Sequence, residues 1–226
     1  MTPERKHRIS TVLDRRQPDL TVIADEVHKG RNIAAIMRTC DAVGIDEMHS
    51  VQPVDGFRPF RGTALGTEKW VQVCLHDTAQ LAIEQCRQQN MQLVATSLTD
   101  RAVDFRAVDY TRPTAIILGA ENDGVSYDVL EEADVHVTIP MMGMVESFNV
   151  SVACAVILLE AQRQRAAAGL YDQPRLAETV RTTRFFQWAH PVIADYCNRK
   201  GLEYPPVDEQ GEIIDPALWY HATREA

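Results

Sequence analysis

No run of about 18 uncharged residues occurs in the chain, so the sequence offers no transmembrane helix. Its opening residues, MTPERKHRIS, lack the apolar core of a secretion signal. The cysteines are five, Cys40, Cys74, Cys86, Cys154 and Cys197, an odd number without a CxxC pair. Four of them sit in apolar segments, and we read them as small buried hydrophobes of a reducing, cytoplasmic protein. The seven histidines include no HxxxH or HExxH, so the sequence predicts no zinc site and no bound metal. No GxGxxG follows a strand, which removes the dinucleotide fingerprint, and the absence of GxxxxGK[ST] removes a P-loop. Positive charge is also in deficit: 23 Lys and Arg against 32 Asp and Glu give a net charge of −9. That average argues against phosphate binding, which needs cations. A local basic patch, however, is what decides.

Such patches are present. Arg5, Lys6, Arg8, Arg15 and Arg16 crowd the N-terminus, opposed only by Glu4 and Asp14. Arg163 and Arg165 follow the most apolar segment, and Arg175, Arg181 and Arg184 lie just beyond it. Much of the acidity lies elsewhere, as at Glu131, Glu132 and Asp134. Spacing alone leaves these arginines open between solvated helix faces and nucleic-acid contacts.

The chain has 226 residues, 45% of them hydrophobic, enough for one substantial domain with extensions. Ile9, Val12 and Leu13 put one apolar face on a short basic helix over 3–16. Ile33, Ile36, Met37 and Cys40 mark an amphipathic helix over 31–43, stopped by Gly44. Strands are predicted at 20–24, 47–51, 70–75, 92–96, 114–118 and 135–139, and further helices at 78–89, 127–132 and 149–168. Residues 53–68 read as a long loop. The last of these helices is apolar all round from Val150 to Leu159. Alternating strands and helices at this spacing imply an α/β fold with a mainly parallel sheet. The division expected is a basic N-terminal helix at 1–18, a catalytic domain at 19–169 and a helical extension at 170–226.

In such a fold, ligands collect at the carboxyl ends of strands. Three predicted ends carry unusual sequence: Ser97 to Asp100, Gly119 to Gly124, and Pro140 to Phe148. The glycines permit close backbone approach, although a GxxxxG turn is equally a plain strand-to-helix connection. The methionines of Met141–Phe148 either wrap a ligand ring or fill an irregular core gap. On the helix at 31–43, Arg38 has the small residues Ala34 and Ala35 on its N-terminal side. It can therefore lie along the helix toward Asn32 and the first-turn amides, an anion pocket.

Three segments together resemble one family, in the family's order. They are Asn32-Ile-Ala-Ala-Ile-Met-Arg38, Leu118-Gly-Ala-Glu-Asn-Asp-Gly124, and Ile139-Pro-Met through Ser147-Phe-Asn-Val-Ser-Val-Ala153. They resemble the three motifs of the SpoU (TrmH-like) class of SPOUT methyltransferases. RRQPDLTV (15–22), AVDFRAVDYTRPT (102–114), EAQRQR (160–165) and QGEI (210–213) extend the likeness toward members that act on guanosine 18 of tRNA. The resemblance implies a deep trefoil knot near 140–160, a homodimer with its active site at the subunit interface, and S-adenosyl-L-methionine as cofactor. It implies 2′-O-methylation of a guanosine ribose in the tRNA D-loop. Another tRNA or ribosomal nucleotide, or a catalytically silent RNA binder, are the alternatives.

By the same resemblance, Thr96, Gly119, Ile139 and Phe148 match cofactor-pocket positions. Asn32, Arg38, Glu121, Ser147 and Asn149 match catalytic ones. Arg8, Arg15, Arg16, Arg163 and Arg165 match or neighbour tRNA contacts. The family scheme makes the arginine at position 38 the base. Guanidinium stays protonated in proteins, so we assign Arg38 to stabilising the developing oxyanion or the adjacent phosphate. Relatives place His before the motif asparagine where this chain has Arg31. Arginine can replace a hydrogen-bond donor to phosphate there, not a proton shuttle.

Overall fold

The computed structural model describes residues 1–51, 69–120 and 124–224. The long loop expected at 53–68 lies outside the described residues. The chain divides into two units, residues 17–172 and residues 1–16 with 173–226. Helix α1 (Pro3–Asp14) belongs to the second.

Residues 17–172 build one sheet from β1 (Leu20–Ala24), β2 (Glu47–Val51), β3 (Gln72–His76), β4 (Gln92–Thr96), β5 (Val103–Asp104), β6 (Thr114–Leu118) and β7 (Val135–Thr138). The order is β3-β2-β1-β6-β4-β7-β5, and every adjacent pair is parallel. Helices α2 (Gly30–Ala42), α3 (Ala79–Gln88), α4 (Tyr127–Glu132) and α5 (Val150–Ala167) cover it. Alternate strand residues face opposite ways, and two cores result. Val22, Ala24, Val94, Ile116 and Leu118 pack with Ile33, Ile36 and Met37 of α2 and Cys154, Ile157 and Leu158 of α5. Ile23, Leu93, Ala95, Ala115 and Ile117 pack with Ala82, Ile83 and Cys86 of α3 and Val129 of α4. The continuous apolar runs of β1 and β6 follow from this burial on both faces. Burial pushes the Cys86 thiol up to about 12 and the Cys154 thiol well above its usual range. Both therefore stay neutral, as inert packing groups do.

The apolar run of α5 is only partly buried: Val152 is 43% and Leu159 56% exposed, so an apolar stripe faces outward. One expectation needs correcting. Arg165, expected to contact tRNA, is fully buried. Its guanidinium donates to the carbonyl oxygens of Tyr110, Asp19 and Arg112, to Gln17 Oε1, and to Asp19 Oδ1 at 2.7 Å. A planar fork with its donors used in this way ties α5 to the start of β1 and to the segment before β6, and cannot reach a phosphate. Arg165→Met is expected to lower stability by about 3 kcal/mol, because it strands a carboxylate and several carbonyls. The check is a lower urea midpoint at unchanged slope.

In the other unit, Thr2 caps α1, accepting from the Arg5 amide at 3.2 Å. Helices α6 (Glu178–Ala189), α7 (Pro191–Lys200) and α8 (Pro216–Arg224) follow. The two chain ends therefore share one unit, which sequence spacing does not reveal. Arg181 of α6 pairs with Asp14 of α1 at 2.8 Å. Arg5 donates to the Trp188 carbonyl at 3.0 Å, Lys6 to the Glu209 carbonyl, and the N-terminal amine pairs with Glu212. Arg16 is buried with its guanidinium 5.1 Å from the Trp188 ring centre. This removes Arg16 as well from the candidate phosphate contacts, because a phosphate needs an accessible cation. Among the described residues, no helix is long and apolar enough to cross a membrane.

Candidate active site

A cavity of about 530 Å³ opens at the carboxyl ends of β4, β6 and β7. This is the end of a parallel sheet at which ligands bind, and its size suits a nucleoside-sized molecule. Each wall has a local cause.

Beyond β6, the chain folds back on itself through paired hydrogen bonds between Ala120 and Gly124, each 3.0 Å. Gly124 takes a φ of +70°, which suits glycine. The return brings backbone against Gly119 so closely that a β-carbon there would overlap the Gly124 carbonyl carbon and the Val125 nitrogen. Glycine at 119 is thus a steric requirement of the turn.

Beyond β4, Thr96 donates its hydroxyl to the Ile117 carbonyl at 3.2 Å, and Ser97 donates its amide to the Val137 carbonyl at 2.9 Å. His136 links this wall to β7. Its Nε2 lies 2.9 Å from the Leu130 carbonyl, which can only accept, so Nε2 carries the proton. Nδ1 then accepts from Thr99 Oγ1 at 3.1 Å, and Ser97 Oγ donates to Thr99 Oγ1 at 3.2 Å. This chain of bonds orients the loop after β4. Sequence reading singled out that loop but not His136, whose lone imidazole on a strand carries no motif.

Beyond β7, Ile139, Ser147, Phe148 and Asn149 line the cavity. Asn149 caps α5, accepting from the Ser151 amide at 3.0 Å. Its side-chain amide also donates to Asn32 Oδ1 at 3.4 Å, joining the first turns of α2 and α5. Two helix N-termini therefore converge beside the cavity, where their exposed amides favour negative charge.

The four residues expected to hold a cofactor, Thr96, Gly119, Ile139 and Phe148, all line this one cavity. Of the expected catalytic residues, Ser147 and Asn149 line it, and Asn32 is buried and bonded to Asn149. Glu121 lies outside the described residues. Arg38 is exposed on α2 and is not among the lining residues. Six helical residues from Asn32 is 600° of rotation, so Arg38 faces about 120° away from it. The side-chain oxygen of Asn32 accepts from Asn149, at the start of a different helix from that of Arg38. The methionine loop fills no core gap either: Met142 is 93% and Met144 100% exposed, while Met141 lines the cavity.

Among the remaining candidate RNA contacts, Arg8 and Arg15 are exposed. Arg163 is exposed and forks onto Glu160 at 2.7 and 2.9 Å, holding that carboxyl down at about 2.

Residues 19–159 match the profile of the SpoU rRNA Methylase family, and residues 163–216 the profile of the SpoU rRNA methylase C-terminal region. The chain is 49% identical over 228 residues to the tRNA (guanosine(18)-2′-O)-methyltransferase of Escherichia coli K12, covering 100% of this chain and 99% of that one. A crystal structure described as the A. aeolicus TrmH/SpoU tRNA modifying enzyme superposes with a TM-score of 0.79 at 40% identity, covering 83% of this chain and 96% of that chain. An AdoMet-bound rRNA methyltransferase from Sinorhizobium meliloti superposes with a TM-score of 0.60 at 25% identity, covering 68% and 59%. With the profile spanning more than half of its length, the chain belongs to the SpoU rRNA methylase family.

Proposed function

We propose that the chain transfers the methyl group of S-adenosyl-L-methionine to the ribose 2′-oxygen of guanosine 18 in tRNA. The observation that carries this reading is a likeness to the E. coli enzyme that spans both chains almost end to end. The cavity supports it with a nucleoside-sized space beside two helix N-termini.

Thr96, Gly119, Ile139 and Phe148 fit the cofactor, offering close backbone approach at Gly119 and apolar surface at Ile139 and Phe148. When bound, the cofactor supplies an electrophilic methyl on a sulfonium centre. Asn32, Ser147 and Asn149 orient the ribose, and Glu121 completes that set. Placing the 2′-oxygen in line lowers the barrier by positioning alone. Arg38 stabilises the oxyanion or the neighbouring phosphate from a second copy of the chain, because it does not line its own cavity. The exposed apolar residues Met142, Met144, Val145, Val152 and Leu159 suit that homodimer contact. The segment near 140–160 threads as the deep trefoil knot of the fold, with α5 packed back on α2. A tRNA substrate places the reaction in the cytoplasm.

A transcript carrying 2′-deoxyguanosine at position 18 is expected to accept no labelled methyl. Transfer to it at the normal rate overturns the assignment. Exposed Arg8, Arg15 and Arg163 steer the tRNA through its phosphates. Binding therefore weakens steeply with salt, and removing Arg8 or Arg163 lowers the logarithmic salt slope by about one each. A flat salt response would remove this role for the arginines.

A further inference from the structure

The other half of the sheet, separated from the cavity strands by β1, carries a second cluster of chemistry-bearing side chains. Glu47 and His49 lie two apart on β2, and Cys74 and His76 two apart on β3, so each pair shares a face. The parallel register sets His49 beside Cys74 and Val51 beside His76, which brings all four onto one face. A carboxylate oxygen of Glu47, a ring nitrogen of His49 and Cys74 Sγ lie within 4.8 Å of one another. His49 Nε2 is 3.9 Å from Glu47 Oε1, and His49 Nδ1 is 3.0 Å from His76 Nε2. His49 is 2% exposed, while Glu47, Cys74 and His76 are half-buried, so the cluster is enclosed but reachable. Gln85 of α3 donates to Glu47 Oε1 at 3.2 Å and limits its rotation.

We propose that Glu47, His49 and Cys74 form a zinc-binding site, with His76 as the residue that orients His49. A thiolate, an imidazole and a carboxylate together suit Zn²⁺ and disfavour Mg²⁺ and Ca²⁺, which take oxygen ligands. Three protein ligands leave a fourth tetrahedral position for water. The His49–His76 bond has the form of a ligand histidine's outer partner: Nδ1–H donates to His76, and the Nε2 lone pair is left for the metal. The bound ion clamps β3 to β2. The ligands lie on two strands, which is why no HxxxH or CxxC marks them.

The test uses the full-length protein, stripped with a chelator and titrated with Co²⁺ alone. Thiolate-to-cobalt charge-transfer absorption is expected, saturating at about one ion per chain and bleached by Zn²⁺. Cys74→Ser removes the absorption and Cys86→Ser retains it. His76→Gln weakens Co²⁺ binding about 10–100-fold with the absorption intact. Glu47→Gln, at a partly exposed position that folding tolerates, weakens binding by at least about tenfold. No absorption with the unaltered chain overturns the site, as does absorption that survives Cys74→Ser. An unchanged Co²⁺ affinity in Glu47→Gln also overturns it.

Discussion

Arg38→Ala lowers kcat for tRNA methylation by about 10²–10³-fold, the usual effect of removing a group aimed at developing negative charge. The melting midpoint stays put, because Arg38 is exposed on α2. Arg38→Lys retains the charge and loses the planar fork, so it recovers only part of the rate. The pH profile separates the two roles for this residue. A stabilising guanidinium contributes no rate-governing pKa near neutrality, whereas a base at position 38 gives the lysine variant a new one. A lysine variant with nearly full kcat and such a pKa would defeat the stabiliser assignment.

Gly119→Ala abolishes cofactor binding and lowers kcat/KM by at least about 10³-fold, because the barrier contribution of a misplaced cofactor compounds the lost affinity. A methyl at this position would occupy the space of the Gly124 carbonyl carbon and the Val125 nitrogen. Those are backbone atoms, and the Ala120–Gly124 hydrogen bonds fix the Gly124 carbonyl against displacement. Overpacking of this kind costs about 1–3 kcal/mol of stability, too little to unfold an ordinary domain. Gly143 is the control: a β-carbon there meets nothing within 4 Å, so Gly143→Ala stays near full activity. Titration calorimetry with S-adenosylmethionine reads the difference directly.

The two defects also test whether the active site is shared between two copies of the chain. If Arg38 acts in the partner's cavity, mixing Arg38→Ala chains with Gly119→Ala chains restores about a quarter of normal activity. Half of the dimers are then mixed, and each has one intact site. If Arg38 acts within its own chain, mixing restores nothing.

Long buried strands were the most legible part of the fold. The apolar runs of β1, β4 and β6 place those strands where the structure has them, and the Gly44 stop signal ends α2 within a residue of its observed end. The two-residue β5 is too short to carry any periodicity. Arg165 illustrates a deeper limit. Its partners, Gln17, Asp19, Tyr110 and Arg112, lie 53 to 148 residues away, so a fully bonded buried arginine and a solvated one look alike in sequence. The outward apolar stripe of α5 is a related case, since hydrophobicity does not say whether the covering surface belongs to the same chain. At the candidate site, Gly119 and Phe148 fell in strand-end segments that spacing already marked, whereas the cofactor role of Thr96, Gly119, Ile139 and Phe148 was legible only through the family resemblance. His136 and the strand-borne Glu47, His49 and Cys74 were not, because pairing in a parallel sheet joins residues that no local spacing connects.

The proposed reaction leaves a methyl group on one ribose oxygen. Incubating the protein with methyl-deuterated S-adenosylmethionine and an unmodified tRNA transcript, then mapping nuclease fragments by mass spectrometry, tests it most directly. The deuterated methyl is expected on the ribose of guanosine 18 and nowhere else. A methyl on a base, or on a ribose outside the D-loop, would contradict it, and an RNA without label would leave the family fold serving binding alone.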